Sequence, residues 1–294
     1  MLAALIVNPG ASRVTPELTA AVEAELSAAG PVETILTERP GHAVELVEEA
    51  SRRYERIYVY SGDGGFNEAV NGLDGDIPLG FLPGGATSVL TRALGLPRDP
   101  VECARLLAHS GRTRAISLGQ LNGRRFTFAA GVGLDAEIVR AVDALGPRRG
   151  HRPGDLAYAR IVARRLLQSW GRLEPSLTVL GRGRAAFAIV VNGDPYSYAG
   201  SFALHAAPAV RFELGLDLIA PARISPRRVL PLLWSLVRTG AHVGWPDMIV
   251  VHDADELRIE CDRPLAVHAD GEDLGDAHDA VFVCERGALN VVVG

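Results

Sequence analysis

YVYSGDGGFNEAVNGL, residues 58–73, runs from an apolar strand-like segment into a helical pattern through the turn Gly62-Asp63-Gly64-Gly65. Glycines there let the backbone come close to an anion. A helix that follows adds unpaired N–H groups and the positive end of its dipole. Asp63, in the same turn, could hold a Mg²⁺ ion or accept a substrate proton. A plain tight turn capped by an aspartate accounts for the same residues equally well.

Working outward, a second glycine-rich turn lies one β-unit later in FLPGGATSVL, residues 81–90, with Gly84, Gly85 and Thr87 between a strand and a helix expected from Ser88. A third turn, Asn8-Pro9-Gly10-Ala11-Ser12, follows the apolar run 2–7. Around them, strands are expected at 2–7, 32–36, 57–60 and 77–82. Helices are expected from 15 to about 29, over 41–54, and from Phe66, Ser88 and Pro100 onward. This β-α alternation implies a layered α/β domain with the three turns along the carboxyl edge of one sheet, where open α/β sheets bind ligands. Beyond residue 113 the expected strands are short and separated by Gly/Pro turns, which suggests an antiparallel sandwich. Within it, Asp270-Gly271-Glu272 reads as a hairpin turn.

Composition excludes several classes. Every Lys/Arg position in the 294 residues is arginine, so neither a P-loop lysine nor the strand lysine of a protein kinase is available. Phosphate must be met by backbone N–H groups, helix ends, arginine and metal. The net charge of -5 argues against a general nucleic-acid binder. Arginines nonetheless gather at Arg148, Arg149, Arg152, Arg160, Arg164 and Arg165, and again at Arg223, Arg227 and Arg228. These are either a solvated face or a patch for anionic lipid headgroups. No apolar stretch reaches the length of a membrane span. Residues 146–154 (GPRRGHRPG) are expected to be a mobile loop.

Taken together, Asn8-Pro9, Thr37 with Pro40-Gly41-His42-Ala43, Gly62-Asp63-Gly64, Asn67-Glu68, Pro83–Thr87, residues 131–137 (GVGLDAE), Asn192, residues 255–257 and Asp270-Gly271-Glu272 resemble the diacylglycerol kinase catalytic-domain family. That family includes bacterial lipid kinases and sphingosine kinases, with a distant fold relation to NAD kinases. The resemblance implies an α/β nucleotide domain over 1–118, joined again by 280–294, and a β-sandwich lipid domain over 119–279. It implies ATP and Mg²⁺ as cosubstrate and metal. Asn8, Pro9, Gly10, Ala11, Ser12, Thr37, Gly62, Asp63, Gly64, Gly65, Asn67, Glu68, Gly84, Gly85 and Thr87 would contact ATP. Glu272 would be the general base, with Asp63 near the metal and γ-phosphate and Asp270 beside the base. The expected acceptor is a diacylglycerol-like lipid alcohol, in phospholipid biosynthesis at the inner, cytoplasmic membrane face. A homodimer through the second domain is implied by the same resemblance.

The chain departs from that pattern in three places. The usual Gly-Asp-Gly-Thr ends in Gly65, which removes a hydroxyl near the phosphates. Ser88 stands where close relatives have Asn at a helix start. In the stretch where some bacterial members bind a structural metal, Arg211 and Leu214 replace Ser and Asp, so that site is expected to be lost, with Arg211 pairing to Glu213 or Asp217 instead. The first two departures favour a nucleotide- or lipid-binding member with weak or no transfer. A kinase for another small or polyprenyl alcohol is the third alternative.

Overall fold

The computed structural model describes residues 2–146, 155–168 and 170–294, without the side chains of 155–159 and 166. Residues 147–154 of the expected loop, with Arg148, Arg149 and Arg152, lie outside the described residues. The chain divides into two compact units, Met1–Leu118 with Arg286–Gly294, and Gly119–Glu285.

The first unit is built from β1 (Ala3–Val7), α1 (Pro16–Ser27), β2 (Val32–Leu36), α2 (His42–Ser51), β3 (Arg56–Ser61), α3 (Asp63–Gly72), β4 (Leu79–Pro83), α4 (Val89–Ala93) and α5 (Pro100–His109). Its four strands are parallel in the order β2-β1-β3-β4, and Val291 of the returning segment registers with Leu79 beside β4. β1, β3 and β4 are buried along their whole length, which is why they read as continuous apolar runs rather than alternating ones. Helix starts carry their own signals. Thr15 accepts Leu18 N–H with Pro16 next, and Asp99 accepts Val101 and Glu102 N–H with Pro100 next. α3 begins at Asp63, earlier than expected, because tertiary packing overrides the low helix propensity of Gly64 and Gly65.

The second unit contains β5 (Thr113–Leu121), whose first residues belong to the first unit, β6 (Arg124–Phe126), β7 (Ala129–Val132), α6 (Leu134–Asp143) and α7 (Asp155–Gln168). β8 (Leu177–Val179), β9 (Gly183–Ala185), β10 (Ala188–Val191), β11 (Ser197–Ala199), β12 (Phe202–Leu204) and β13 (Leu216–Pro221) follow. α8 (Pro226–Trp234), a π turn at Ser235–Thr239, β14 (Met248–Ala254), β15 (Glu256–Ala269) and β16 (Glu272–Val292) complete it. The pairs β14-β13, β13-β10, β10-β7, β7-β15 and β15-β16 are all antiparallel. β15 is the strand that makes two layers out of one ribbon. Its first half pairs with β8 at Ile259–Cys261, its second half pairs with β7 at Val267–Ala269, and its register shifts between them. Phe126, Val132, Val179, Val190, Leu218, Ile259, Val267 and Phe282 belong to the core that both halves enclose.

Arg211 differs from expectation. Its guanidinium donates to the carbonyls of Pro208 and Val210, at 3.0 and 2.7 Å, while Asp217 is occupied by His252 Nδ1 and Asp253 N–H. The guanidinium serves backbone oxygens, and the acid has a different partner.

After α8 the chain is pinned by a buried histidine. His242 Nε2 lies 2.7 Å from the Ala206 carbonyl, which requires the Nε2–H tautomer, and Nδ1 sits 2.8 Å from Ser235 Oγ. Burial lowers its pKa below the ordinary 6.5. The folded form therefore holds a neutral ring, whereas the unfolded chain takes up a proton as the pH falls through 6.5. The stabilisation is complete above that pH and drains away below it. Melting temperatures measured from pH 7.5 to 5 should fall with acidification, and His242→Gln should flatten that slope. Parallel slopes for the two proteins would assign the acid sensitivity to other groups.

Candidate phosphate site and carboxylate hairpin

In the first unit, three turns meet at the carboxyl ends of β1, β3 and β4. The β3–α3 and β4–α4 turns touch through glycine backbone. A Cβ on Gly62 would lie 3.3 Å from Gly85 Cα, and one on Gly85 would lie 2.9 Å from Gly62 Cα. Gly84 N–H donates to the Ser61 carbonyl at 2.7 Å, and Gly84 carbonyl accepts Arg13 N–H at 2.9 Å, which ties in the turn after β1. That turn is itself folded by Asn8, whose Oδ1 accepts Gly10 N–H at 2.9 Å. Pro9 and Gly10 are exposed, and Ala11, Ser12 and Thr37 are half-buried nearby, with Thr37 N–H donating to the Val7 carbonyl at 2.8 Å. Gly62, Asp63, Gly64, Gly65, Gly85 and Thr87 are likewise half-buried, while Gly84 is buried.

Asp63 faces α4. Its two carboxylate oxygens accept Val89 N–H at 3.0 Å and Leu90 N–H at 3.2 Å. Ser88, the residue before α4, has φ 49° and ψ 60°, and its Oγ donates to Gly85 carbonyl. That left-handed conformation suits Asn better than Ser, which gives a physical meaning to the departure at this position.

Two residues expected to touch ATP are turned to other work. Glu68 accepts Gly41 N–H at 2.9 Å and Ala43 N–H at 3.2 Å, so its carboxylate caps α2 and shapes the Pro40-Gly41-His42 turn. Asn67 is fully buried, and its Oδ1 and carbonyl accept from Asn71 Nδ2. Both residues support the turns from behind.

In the second unit, β15 and β16 close through Asp270 and Gly271 with φ of 48° and 77°, and Ala269 registers with Glu272. Positive φ at both central residues is the two-residue hairpin geometry that Asp-Gly favours. Asp270 is only 3% exposed, and its carboxylate accepts Thr127 N–H and Oγ1–H, Phe128 N–H and Ala129 N–H, all within 3.2 Å. The sequence placed it among catalytic groups. Its geometry is instead that of an anchor, with close to its full acceptor capacity used on the β6–β7 backbone. Glu272, beside it, is partly exposed and lies 2.7 Å from Arg124 Nη2.

A polar chain that sequence reasoning missed runs alongside. Tyr196 O–H donates to Asp135 Oδ1 at 2.6 Å, and His268 Nε2 lies 2.6 Å from Asp135 Oδ2. The pairing is hidden from a reading of residue order because Asp135 and His268 are 133 residues apart. Among the described residues, no group of three His, Cys, Asp or Glu side chains is arranged to hold a metal ion. Magnesium commonly binds through one or two carboxylates plus substrate phosphates and water.

Comparison with known proteins agrees with this geometry. Residues 2–121 match the diacylglycerol kinase catalytic domain, and residues 129–293 match the YegS C-terminal NAD kinase beta sandwich-like domain. A diacylglycerol kinase of Bacillus subtilis (strain 168) is 36% identical over 142 residues, 46% of this chain and 47% of that protein. One from Staphylococcus carnosus (strain TM300) is 29% identical over 146 residues, 46% of each chain. These matches span about half the length of the curated relatives. A crystal structure of a diacylglycerol kinase from Bacillus anthracis str. Sterne superposes with a TM-score of 0.74 at 20% identity, covering 99% of this chain and 96% of that one. With the two matches together covering nearly the whole chain, the chain belongs to the family that joins a diacylglycerol kinase catalytic domain to a YegS-type C-terminal β-sandwich.

Proposed function

We propose that this protein is an ATP-dependent lipid kinase that transfers the γ-phosphate to the hydroxyl of a diacylglycerol-like lipid alcohol. The observation that carries the reading is the meeting of three turns at one sheet edge, rich in backbone N–H groups, in a chain that has no lysine to offer phosphate. Asn8, Pro9, Gly10, Ala11, Ser12, Thr37, Gly62, Gly64, Gly65, Gly84, Gly85 and Thr87 form the nucleotide side of this proposal. Asp63 would hold Mg²⁺, which on binding shields the phosphate charge. Glu272 accepts the proton of the lipid hydroxyl as its oxygen bonds to the γ-phosphorus, while the bond to the β-phosphate oxygen breaks and ADP leaves. Asp270 acts through Glu272, because it fixes the hairpin on which the base is carried.

The acceptor's habitat is supported by the surface of the second unit. No helix among the described residues is long and apolar enough to cross a membrane. α8, however, buries none of its residues and exposes Leu230 (75%), Leu233 and Trp234 (62%). Exposed Trp170 is joined to it through Gly171, which packs on Pro226. Arg238 lies over the Trp234 ring at 5.7 Å. Residues 160–245 carry eleven arginines against four acidic residues, although the whole chain is net negative. Exposed apolar and aromatic side chains on a helix that also carries Arg227 and Arg228 suit an anionic bilayer surface. These features support α8 as the proposed peripheral membrane contact.

Two measurements test the reading. With labelled ATP, Mg²⁺ and a panel of lipid alcohols in mixed micelles, the parent should yield labelled phospholipid and Glu272→Gln should be slower by roughly two to four decades, the usual range for a general base. Asp270→Asn should lose activity together with thermal stability, whereas Glu272→Gln should keep its melting temperature. Equal transfer by parent and Glu272→Gln would remove Glu272 as the base. Separately, the parent should sediment with phosphatidylglycerol vesicles and not with phosphatidylcholine ones, and the pair Leu230→Ser with Trp234→Ser should release it. Retention of that double variant on the vesicles would move the docking face elsewhere.

A further inference from the structure

Gly65, where the family pattern has a threonine, has a neighbour that explains it. A Cβ built on Gly65 would fall 2.1 Å from Ser61 Oγ and 2.7 Å from Ser61 Cβ. The space for a side chain at position 65 is thus already filled by the side chain of Ser61, the last residue of β3. The glycine is required by Ser61, not tolerated as a loss.

Ser61 itself is 2% exposed, and its Oγ has no hydrogen-bond partner. A buried hydroxyl without a partner is uncommon enough to need a reason. Thr34 also carries such a hydroxyl, but it lies within β2 and not in a glycine-rich turn. Ser61 Oγ reaches into the first turn of α3, a ten-residue helix in which Phe66 N–H donates to the Gly62 carbonyl. The point that the missing Cβ would occupy is also 3.9 Å from Asn8 Nδ2, in the turn after β1. The Ser61 hydroxyl, the first turn of α3 and the Asn8 side-chain amide therefore lie next to one another.

We infer that Ser61 Oγ is the hydroxyl donor of this chain's phosphate site, moved from the first turn of α3 to the end of β3, and that it binds a nucleotide phosphate oxygen. The inference rests on the nucleotide reading above and deepens it. Positions 61 and 65 share one side-chain volume, so a hydroxyl can come from either but not from both.

The test is a set of four proteins, the parent, Ser61→Ala, Gly65→Thr and the double exchange Ser61→Gly with Gly65→Thr, each titrated calorimetrically with ATP, ADP and adenosine and melted without ligand. Ser61→Ala should weaken ATP and ADP by ~10-fold, the worth of one hydrogen bond to a charged group. It should leave adenosine binding and the melting temperature unchanged. Gly65→Thr alone should lower the melting temperature, because two side chains then contend for one space. The double exchange should recover both the melting temperature and ATP affinity. Parent-like ATP binding by Ser61→Ala, or a folded double exchange that still binds ATP weakly, would overturn the inference and leave the nucleotide site standing. No ATP binding by the parent would overturn both.

Discussion

The first unit depends on a contact that only glycine permits, the approach of the Gly62 and Gly85 backbones. β3 and β4 are adjacent parallel strands, so the turns that leave them begin a strand spacing apart. Any Cβ at either position would wedge them open. Held together, the turns place two helix starts side by side, and Asp63 leaves one of them to cap the other. Ser61 and Gly84 complete the lock through a 2.7 Å backbone hydrogen bond. The concentration of N–H groups at this edge is thus a consequence of backbone packing. It needs no cationic side chain, which is consistent with a chain that has dispensed with lysine.

The second unit solves a related problem by a different device. A hairpin tip is ordinarily mobile, yet the residue after this tip is the one proposed to handle a proton. Asp270 spends its carboxylate on four donors of β6–β7, so the turn is tied to the unit's centre rather than left at its rim. A buried charge is expensive unless hydrogen-bonded, and here the bonds supplied are nearly all that a carboxylate can accept. Glu272 inherits that rigidity through two covalent links and adds its own pairing with Arg124. Preorganisation of this kind is what a base needs, because misplacement by an ångström costs rate steeply.

Much of this was legible from residue order. The buried parallel strands announced themselves as apolar runs, and the starts of α1 near Thr15 and α5 at Pro100 were read from residue order. Asp270-Gly271 named its own turn type. What escaped reading was long-range. β16 carries Gly275 and Gly287 with positive φ and a polar first third, so nothing local reveals a strand of 21 residues; pairing with β15 extends it. Glu68 looked like part of the glycine-turn motif, but its partners Gly41 and Ala43 belong to α2, 25 or more residues earlier. Asp135 and His268 are joined only by the sheet. In each case the missing information was a contact between distant residues, which neither propensity nor periodicity encodes.

The same limit applies to motif comparison. Read position by position, a chain with Gly65 in place of threonine has lost a hydroxyl, and the loss points toward a weakened enzyme. Read as a packed volume, positions 61 and 65 are one site, and the loss at one is bound to the side chain at the other. Departures from a family pattern therefore divide into two physical kinds. At position 88 the backbone keeps a left-handed conformation that serine adopts less readily than asparagine, and Ser88 Oγ offers one hydrogen bond in return. At position 65 the side chain of Ser61 fills the space. Only the first kind leaves a cost in the fold, and only the second can preserve a function that the sequence pattern has ceased to display.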